Sequence, residues 1–252
     1  MIPIDFSSKV VLVSGGARGI GRSTALRFAE AGADVGIFDL REEESRETVD
    51  CIRSLGRKGF FRRVDVTSEP EVDRGVEELG EELGGIDFFV SSAAITSKQP
   101  FPRLSAEVWS KTLGVNLTGP FLCCKAVVPV MIRQGGGRIV LISSGSALTG
   151  SGGGAHYASS KGALISLVRT LARELAGHNI LANCLAPRNV RTELLEEIYS
   201  EERLEKLSAQ TPLRRLSTPE EIANVAVFLC SELSTYLTGQ LILVDGGRTY
   251  AC

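Results

Sequence analysis

Short apolar runs rich in β-branched residues recur along this chain, at Val10–Ser14, Asp34–Phe38, Phe60–Val64, Ile86–Ser91, Arg138–Ser143, Ile180–Leu185 and Gln240–Val244. Runs of this length, bounded by glycine and polar residues, read as buried strands. Between them lie longer stretches whose apolar positions return every three or four residues, the period of an amphipathic helix. These are Ile20–Ala31, Glu42–Leu55, Glu69–Leu83, Ala106–Gln134, His156–Ala176 and Pro219–Ser231. Glycine and proline near Asn116–Pro120 predict that the fourth of these breaks into two helices. Strand and helix alternate almost throughout, which predicts an α/β fold: a doubly wound parallel sheet of about seven strands with helices on both faces. No repeat, low-complexity tract or linker divides the sequence, so residues 1–252 are expected to form a single domain. Residues 188–216 interrupt the alternation. They are charged, helix-prone and bounded by Pro187 and Pro212. An insertion beside the C-terminal edge of such a sheet is a natural substrate lid.

Composition narrows the functions open to this fold. The 252 residues carry a formal net charge of −2, with 43% hydrophobic and 23% charged residues. No excess of positive charge favours nucleic acid or an anionic membrane surface. No apolar run approaches the roughly 18 residues of a spanning helix. The start, Met1-Ile2-Pro3-Ile4-Asp5-Phe6, lacks the n-region and h-region of a signal peptide. Six cysteines (51, 123, 124, 184, 230 and 252) show no CxxC spacing. Buried reduced thiols are expected rather than disulfides or a metal site. A cytoplasmic setting follows.

The first candidate chemistry lies where the first strand meets a helix, in Ser14-Gly15-Gly16-Ala17-Arg18-Gly19-Ile20-Gly21. Glycines let such a turn tighten and let the backbone approach a pyrophosphate at the helix N-terminus. The spacing is GxxxGxG rather than GxGxxG. Asp39 ends the second strand, 18 residues beyond Gly21. A carboxylate there accepts hydrogen bonds from a ribose diol and repels a 2′-phosphate, which favours NAD over NADP. Arg18 argues the other way, because a cation in the turn can meet a 2′-phosphate. Leu40 supplies no compensating charge beside Asp39.

The second is Tyr157-Ala158-Ser159-Ser160-Lys161 at a helix start, which puts a phenol and an ammonium on one helical face. A lysine beside a tyrosine favours the phenolate, so the pair can act as general acid and base. Ser144 ends a strand 13 residues earlier. With SGGARGIG, Asp39, Asp65-Val66, Asn116 in VNLTG, Pro187 through Thr192 and LTGQLILVDGG, the chain resembles the short-chain dehydrogenase/reductase family over nearly its whole length. The resemblance implies a Rossmann-like fold and a catalytic set of Asn116, Ser144, Tyr157 and Lys161. Tyr157 would exchange the proton of an alcohol or ketone, Ser144 would hold the substrate oxygen, and Lys161 would tune Tyr157 and bind the nicotinamide ribose. Asn116 would hold a water that connects Lys161 to solvent. Gly15, Arg18, Gly19, Ile20, Gly21, Asp39, Asp65, Val66, Ser92, Tyr157, Lys161, Val190 and Thr192 would contact the dinucleotide. Ser146 and Arg188 join Ser144 as substrate contacts. A homotetramer is implied as well, built on the helices bearing Asn116–Gln134 and His156–Ala176, with the tail Arg248–Cys252 reaching a neighbour.

Two departures from the family pattern matter. Ser91-Ser92-Ala93-Ala94 stands where the family has Asn-Asn-Ala-Gly, and Arg188 follows Pro187 where glycine is common. Arg188 either reads an anionic group on the substrate or, the preferred expectation, faces solvent or pairs with a lid acid such as Glu193, Glu196 or Glu197. The expected function is NAD(H)-dependent interconversion of a secondary alcohol and a ketone, on a sugar, polyol or keto acid. The alternatives are an NADPH-dependent 3-oxoacyl thioester reductase, a dinucleotide-binding regulator without turnover and, ranked last, a sugar-nucleotide epimerase or dehydratase.

Overall fold

Seven parallel strands form one sheet in the order β3-β2-β1-β4-β5-β6-β7. They are β1 (Val10–Ser14), β2 (Asp34–Asp39), β3 (Gly59–Arg63), β4 (Phe88–Ser91), β5 (Gly137–Ile142), β6 (Ile180–Pro187) and β7 (Leu241–Val244). The computed structural model describes residues 4–250 except Lys98, and of residue 198 the backbone alone. β1 is buried along its whole length because it pairs with β2 on one side (Val13 opposite Ile37) and β4 on the other (Val13 opposite Val90), with helices over both faces. A strand with no solvent-facing side has no polar alternation, which is why it reads as a continuous apolar run. The order reverses between β1 and β4, and the crevice at their C-terminal ends is where such sheets bind ligands.

The helices divide between two cores. On one face α1 (Gly19–Glu30) and α10 (Pro219–Cys230) pack with α2 (Glu42–Ser54) around Phe28, Ile37, Val140 and Ile222. Phe6, Phe28 and Phe88 form an aromatic cluster there, with centroids 4.7 to 5.6 Å apart. On the other face α3 (Glu69–Leu83), α4 (Ala106–Leu113), α5 (Gly119–Gln134) and the 22-residue α7 (Gly154–Leu175) cover Leu12, Phe89, Ile139 and Leu141.

The predicted break near Asn116–Pro120 is a joint of another kind. Gly114–Thr118 forms a π-helical turn, so α4 runs into α5 without leaving helical conformation. Asn116 holds the turn: its Oδ1 accepts from Ile95 N at 2.8 Å and its Nδ2 donates to Ile95 O at 2.9 Å. The joined helix, Ala106–Gln134, has a window of mean hydropathy 1.6 and passes the length and composition test for a membrane span. This corrects the expectation that no stretch comes near that length. Its apolarity has a local use, since Cys123, Cys124, Val127 and Met131 are buried in the sheet core. All five described cysteines are free thiols, and burial pushes Cys123 and Cys184 up to about 12. Cys252 lies outside the described residues.

A short α6 (Ser146–Thr149), absent from the sequence reading, precedes α7. Residues 188–216, the segment expected to act as a lid, carry α8 (Glu193–Ile198) and α9 (Glu201–Ala209).

Candidate active site

The dinucleotide cradle begins at the β1/β4 crevice. Gly15 N donates to Phe38 O at 2.7 Å, which pulls the turn against β2. Gly15 has φ +76°, and a Cβ there would lie 2.5 Å from Ala93 N. The turn is therefore pressed onto the altered Ser91-Ser92-Ala93-Ala94 segment, and Ser92 N donates to Ser14 O at 2.9 Å. The substituted segment keeps the close approach of the two loops. α1 starts at Gly19 with Arg18 as its N-cap and no side-chain cap, so its first-turn N–H groups remain available to an anion.

Asp39 faces this turn. Its carboxylate accepts from Ala17 N at 3.1 Å and Arg41 N at 3.0 Å. Arg18, read from sequence as a possible 2′-phosphate contact, is taken up by the lid: its Nη1 donates to Glu197 Oε1 at 2.9 Å. Thr192 caps α8, accepting from Leu195 N at 3.3 Å, and lies beside Gly19. The lid thus meets the glycine-rich turn at two points. Val190 is buried and bridges Ser217. Asp65 accepts from Thr67 N (2.9 Å) and Thr67 Oγ1 (2.7 Å), and Val66 packs on Gly119. A bare helix N-terminus, a close-packed glycine turn and a diol-accepting carboxylate fit a dinucleotide in composition and placement.

The proton-handling group sits across the crevice. Tyr157 lies in the first turn of α7, and its hydroxyl shares a hydrogen bond with Ser144. A Cβ at Gly153 would lie 2.5 Å from Tyr157 Cδ1, so glycine is what admits the ring. Ser144 Oγ also accepts from Ser146 N at 3.1 Å. Lys161 is buried, its Nζ donating to Ile142 O at 2.8 Å and standing 5.8 Å from the centroid of the Tyr157 ring. Burial raises the Tyr157 phenol above its ordinary value, and the Ser144 hydrogen bond opposes this in part. Burial draws Lys161 down to about 8.

Asn116 braces α7 one residue before Lys161, through Nδ2 to Ser160 Oγ at 3.2 Å. Ser143 Oγ donates to Lys161 O at 2.7 Å. Neither Ser143 nor Ser160 stood out in the sequence, where a strand-end serine and the middle of YASSK carry no distinctive signal. His156 turns away from Tyr157's work: it is buried, with Nε2 3.2 Å from Ser97 Oγ.

Of the two arms of the preferred expectation for Arg188, the acid pairing is not met, while the side chain is partly exposed to solvent. It donates to Thr149 Oγ1 at 3.2 Å and Ser151 Oγ at 2.6 Å, not to a lid acid. Glu197 is held by Arg18 and Glu196 by Arg191.

Residues 15–249 match the family model described as Enoyl-(Acyl carrier protein) reductase. The chain belongs to the short-chain dehydrogenase/reductase family. It is 38% identical to the 3-oxoacyl-[acyl-carrier-protein] reductase FabG of Chlamydia pneumoniae, over 98% of this chain and 99% of that protein. It is 40% identical to the FabG of Aquifex aeolicus strain VF5, over 97% and 98%. Among solved structures, 7α-hydroxysteroid dehydrogenase complexed with NADH and 7-oxo glycochenodeoxycholic acid matches with a TM-score of 0.93 and 34% identity, covering 97% of this chain and 96% of that one. As a short-chain dehydrogenase/reductase, the chain is an oxidoreductase that uses a nicotinamide dinucleotide. The bound dinucleotide supplies the hydride donor or acceptor. The arrangement brings a serine hydroxyl, a phenol and a buried ammonium together, groups that can together hold an oxygen and exchange its proton.

Proposed function

We propose that this protein interconverts a 3-oxo group and a 3-hydroxyl group on an acyl chain, with NAD(H) as its dinucleotide. The Ser144–Tyr157–Lys161 constellation carries the alcohol–ketone part of this reading. The acyl part is supported by relatives named 3-oxoacyl-[acyl-carrier-protein] reductase at 38 and 40% identity, and it replaces the sugar or polyol favoured by the sequence. The preference for NAD rests on Asp39, whose carboxylate faces the Gly-rich turn, with Arg18 paired to Glu197 and Arg41 near Glu44. Two cations that would welcome a 2′-phosphate are thereby partly neutralised. The reading includes a homotetramer, supported by the exposed Phe121 and Ile132 on α5.

Loss of reduced-nicotinamide absorbance with acetoacetyl-CoA tests this directly. NADH is expected to exceed NADPH by about 100-fold in kcat/KM. Asp39→Ala should reduce that preference by about 30-fold, corresponding to about 2 kcal/mol. A wild-type preference for NADPH would reject the role given to Asp39, and absence of turnover with either dinucleotide would reject the acyl substrate.

A further inference from the structure

Arg188 stands at the catalytic end of β6, its N–H donating to Val244 O at 3.3 Å. Its stem runs along the residue after Ser144: a Cβ on Gly145 would lie 3.0 Å from Arg188 Cδ. Its guanidinium ends on the hydroxyls of Thr149 and Ser151, in the segment between Ser144 and Tyr157. The side chain therefore spans from the strand end to the loop that delivers the catalytic phenol.

No acid forms a close ion pair with it. Among the described residues no carboxylate oxygen lies within 4.0 Å of Arg188. Three other arginines of the turn and the 188–216 segment have acids, Arg18 with Glu197, Arg191 with Glu196 and Glu201, Arg215 with Glu221, whereas Arg214 and Arg248 donate to Ala209 O and to Gln210. Asp245 acts on Arg188 favourably and Arg248 unfavourably, without either forming a close pair. A half-buried guanidinium held by neutral hydroxyls alone has charge and donors left for a carboxylate, which a planar fork binds in bidentate fashion.

We propose that Arg188 is the specificity-determining residue of this site, and that the substrate carries a free carboxylate near the reacting carbon, bound by the Arg188 guanidinium beside Thr149 and Ser151. This rests on the oxidoreductase reading and adds the substrate's charge to it. The stem passes Gly145, the residue after Ser144, so an anion on the guanidinium would sit over the same loop. Phosphates of a carrier thioester would sit a whole pantetheine length away from that carbon, so the carboxylate belongs to the acyl part.

The test separates binding from turnover. Tyr157→Phe protein loaded with NADH is titrated calorimetrically with the monomethyl esters of 3-oxopentanedioate and 3-oxohexanedioate, which keep a free carboxylate on the acyl chain, and with the corresponding dimethyl esters. At least one monomethyl ester is expected to bind about 100-fold more tightly than its dimethyl ester. Adding Arg188→Ala or Arg188→Met should bring that ratio to within about 3-fold, while Arg188→Lys should retain about 10-fold. NADH binding in each double variant reports that the fold and the cradle survive, and the lysine variant decides the matter if the smaller side chains disturb the loop. A ratio near one with Arg188 intact, or an unchanged ratio without it, would overturn the proposal. Wild-type turnover is followed separately: an intact acid preference with no oxidation or reduction of any ketone or alcohol would reject the oxidoreductase reading and leave the carboxylate site standing.

Discussion

Replacing Tyr157 by phenylalanine is expected to lower kcat by about 10³–10⁴-fold while changing NADH affinity by less than about 3-fold. General acid–base catalysis is worth about 10²–10⁴ in rate, and Tyr157 is the titratable group that touches Ser144. Phenylalanine keeps the ring in the space left by Gly153, so the loss falls on chemistry rather than on folding. Losing the hydroxyl's bond to Ser144 should cost about 1 kcal/mol of stability. Single-turnover absorbance and NADH titration separate the two effects; a rate loss under tenfold would mean another group handles the proton. The same site sets a pH limb. Ketone reduction needs a protonated phenol and a charged ammonium. Burial keeps the phenol protonated past its usual range, but draws Lys161 down to about 8. Below pH 8 both requirements are met; as pH rises through about 8 the lysine discharges and reduction should decline. Lys161→Met should be slow throughout and lack that limb.

Gly21→Ala is expected to weaken NADH binding by more than about 100-fold and to destabilise the fold by about 3 kcal/mol. A Cβ at Gly21 would lie 1.9 Å from Gly15 O. Neither backbone can withdraw, because Gly15 is bound to Phe38 O and pressed against Ala93. The turn must therefore shift, and with it the N–H groups that would face a bound pyrophosphate. Gly80→Ala serves as the contrast. Gly80 lies within α3 with nothing within 4 Å of the added carbon, so the change should stabilise by about 0.5–1 kcal/mol. Urea unfolding and NADH titration of both variants measure the difference; wild-type affinity in Gly21→Ala would show that the turn does not hold the dinucleotide.

Features encoded by local pattern were legible before any coordinates. β1 is a Val-Val-Leu-Val run because both its faces are covered, and the Gly-rich turn and Tyr157 through Lys161 are set by short spacings. Contacts across the chain were not legible. Glu193, Glu196 and Glu197 are near Arg188 in sequence, yet α8 turns Glu197 toward Arg18, 179 residues away, and Glu196 toward Arg191. Arg188 finds Thr149 and Ser151 instead, 39 and 37 residues earlier. The joint at Asn116 falls where the sequence places it, between α4 and α5, but its π-helical form depends on a distant contact. Glycine and proline do weaken a helix, but Asn116's two bonds to Ile95, 21 residues back, hold the wider turn together.

The seam between β1 and β4 divides responsibilities as well as strands. Asp39 and the Gly-rich turn come from the first bank; Ser144, Tyr157 and Arg188 come from the second. Mutational drift on either bank can retune one habit and spare the other. A lineage built this way can exchange its diet while keeping its fuel, or the reverse, without redesigning the scaffold between them.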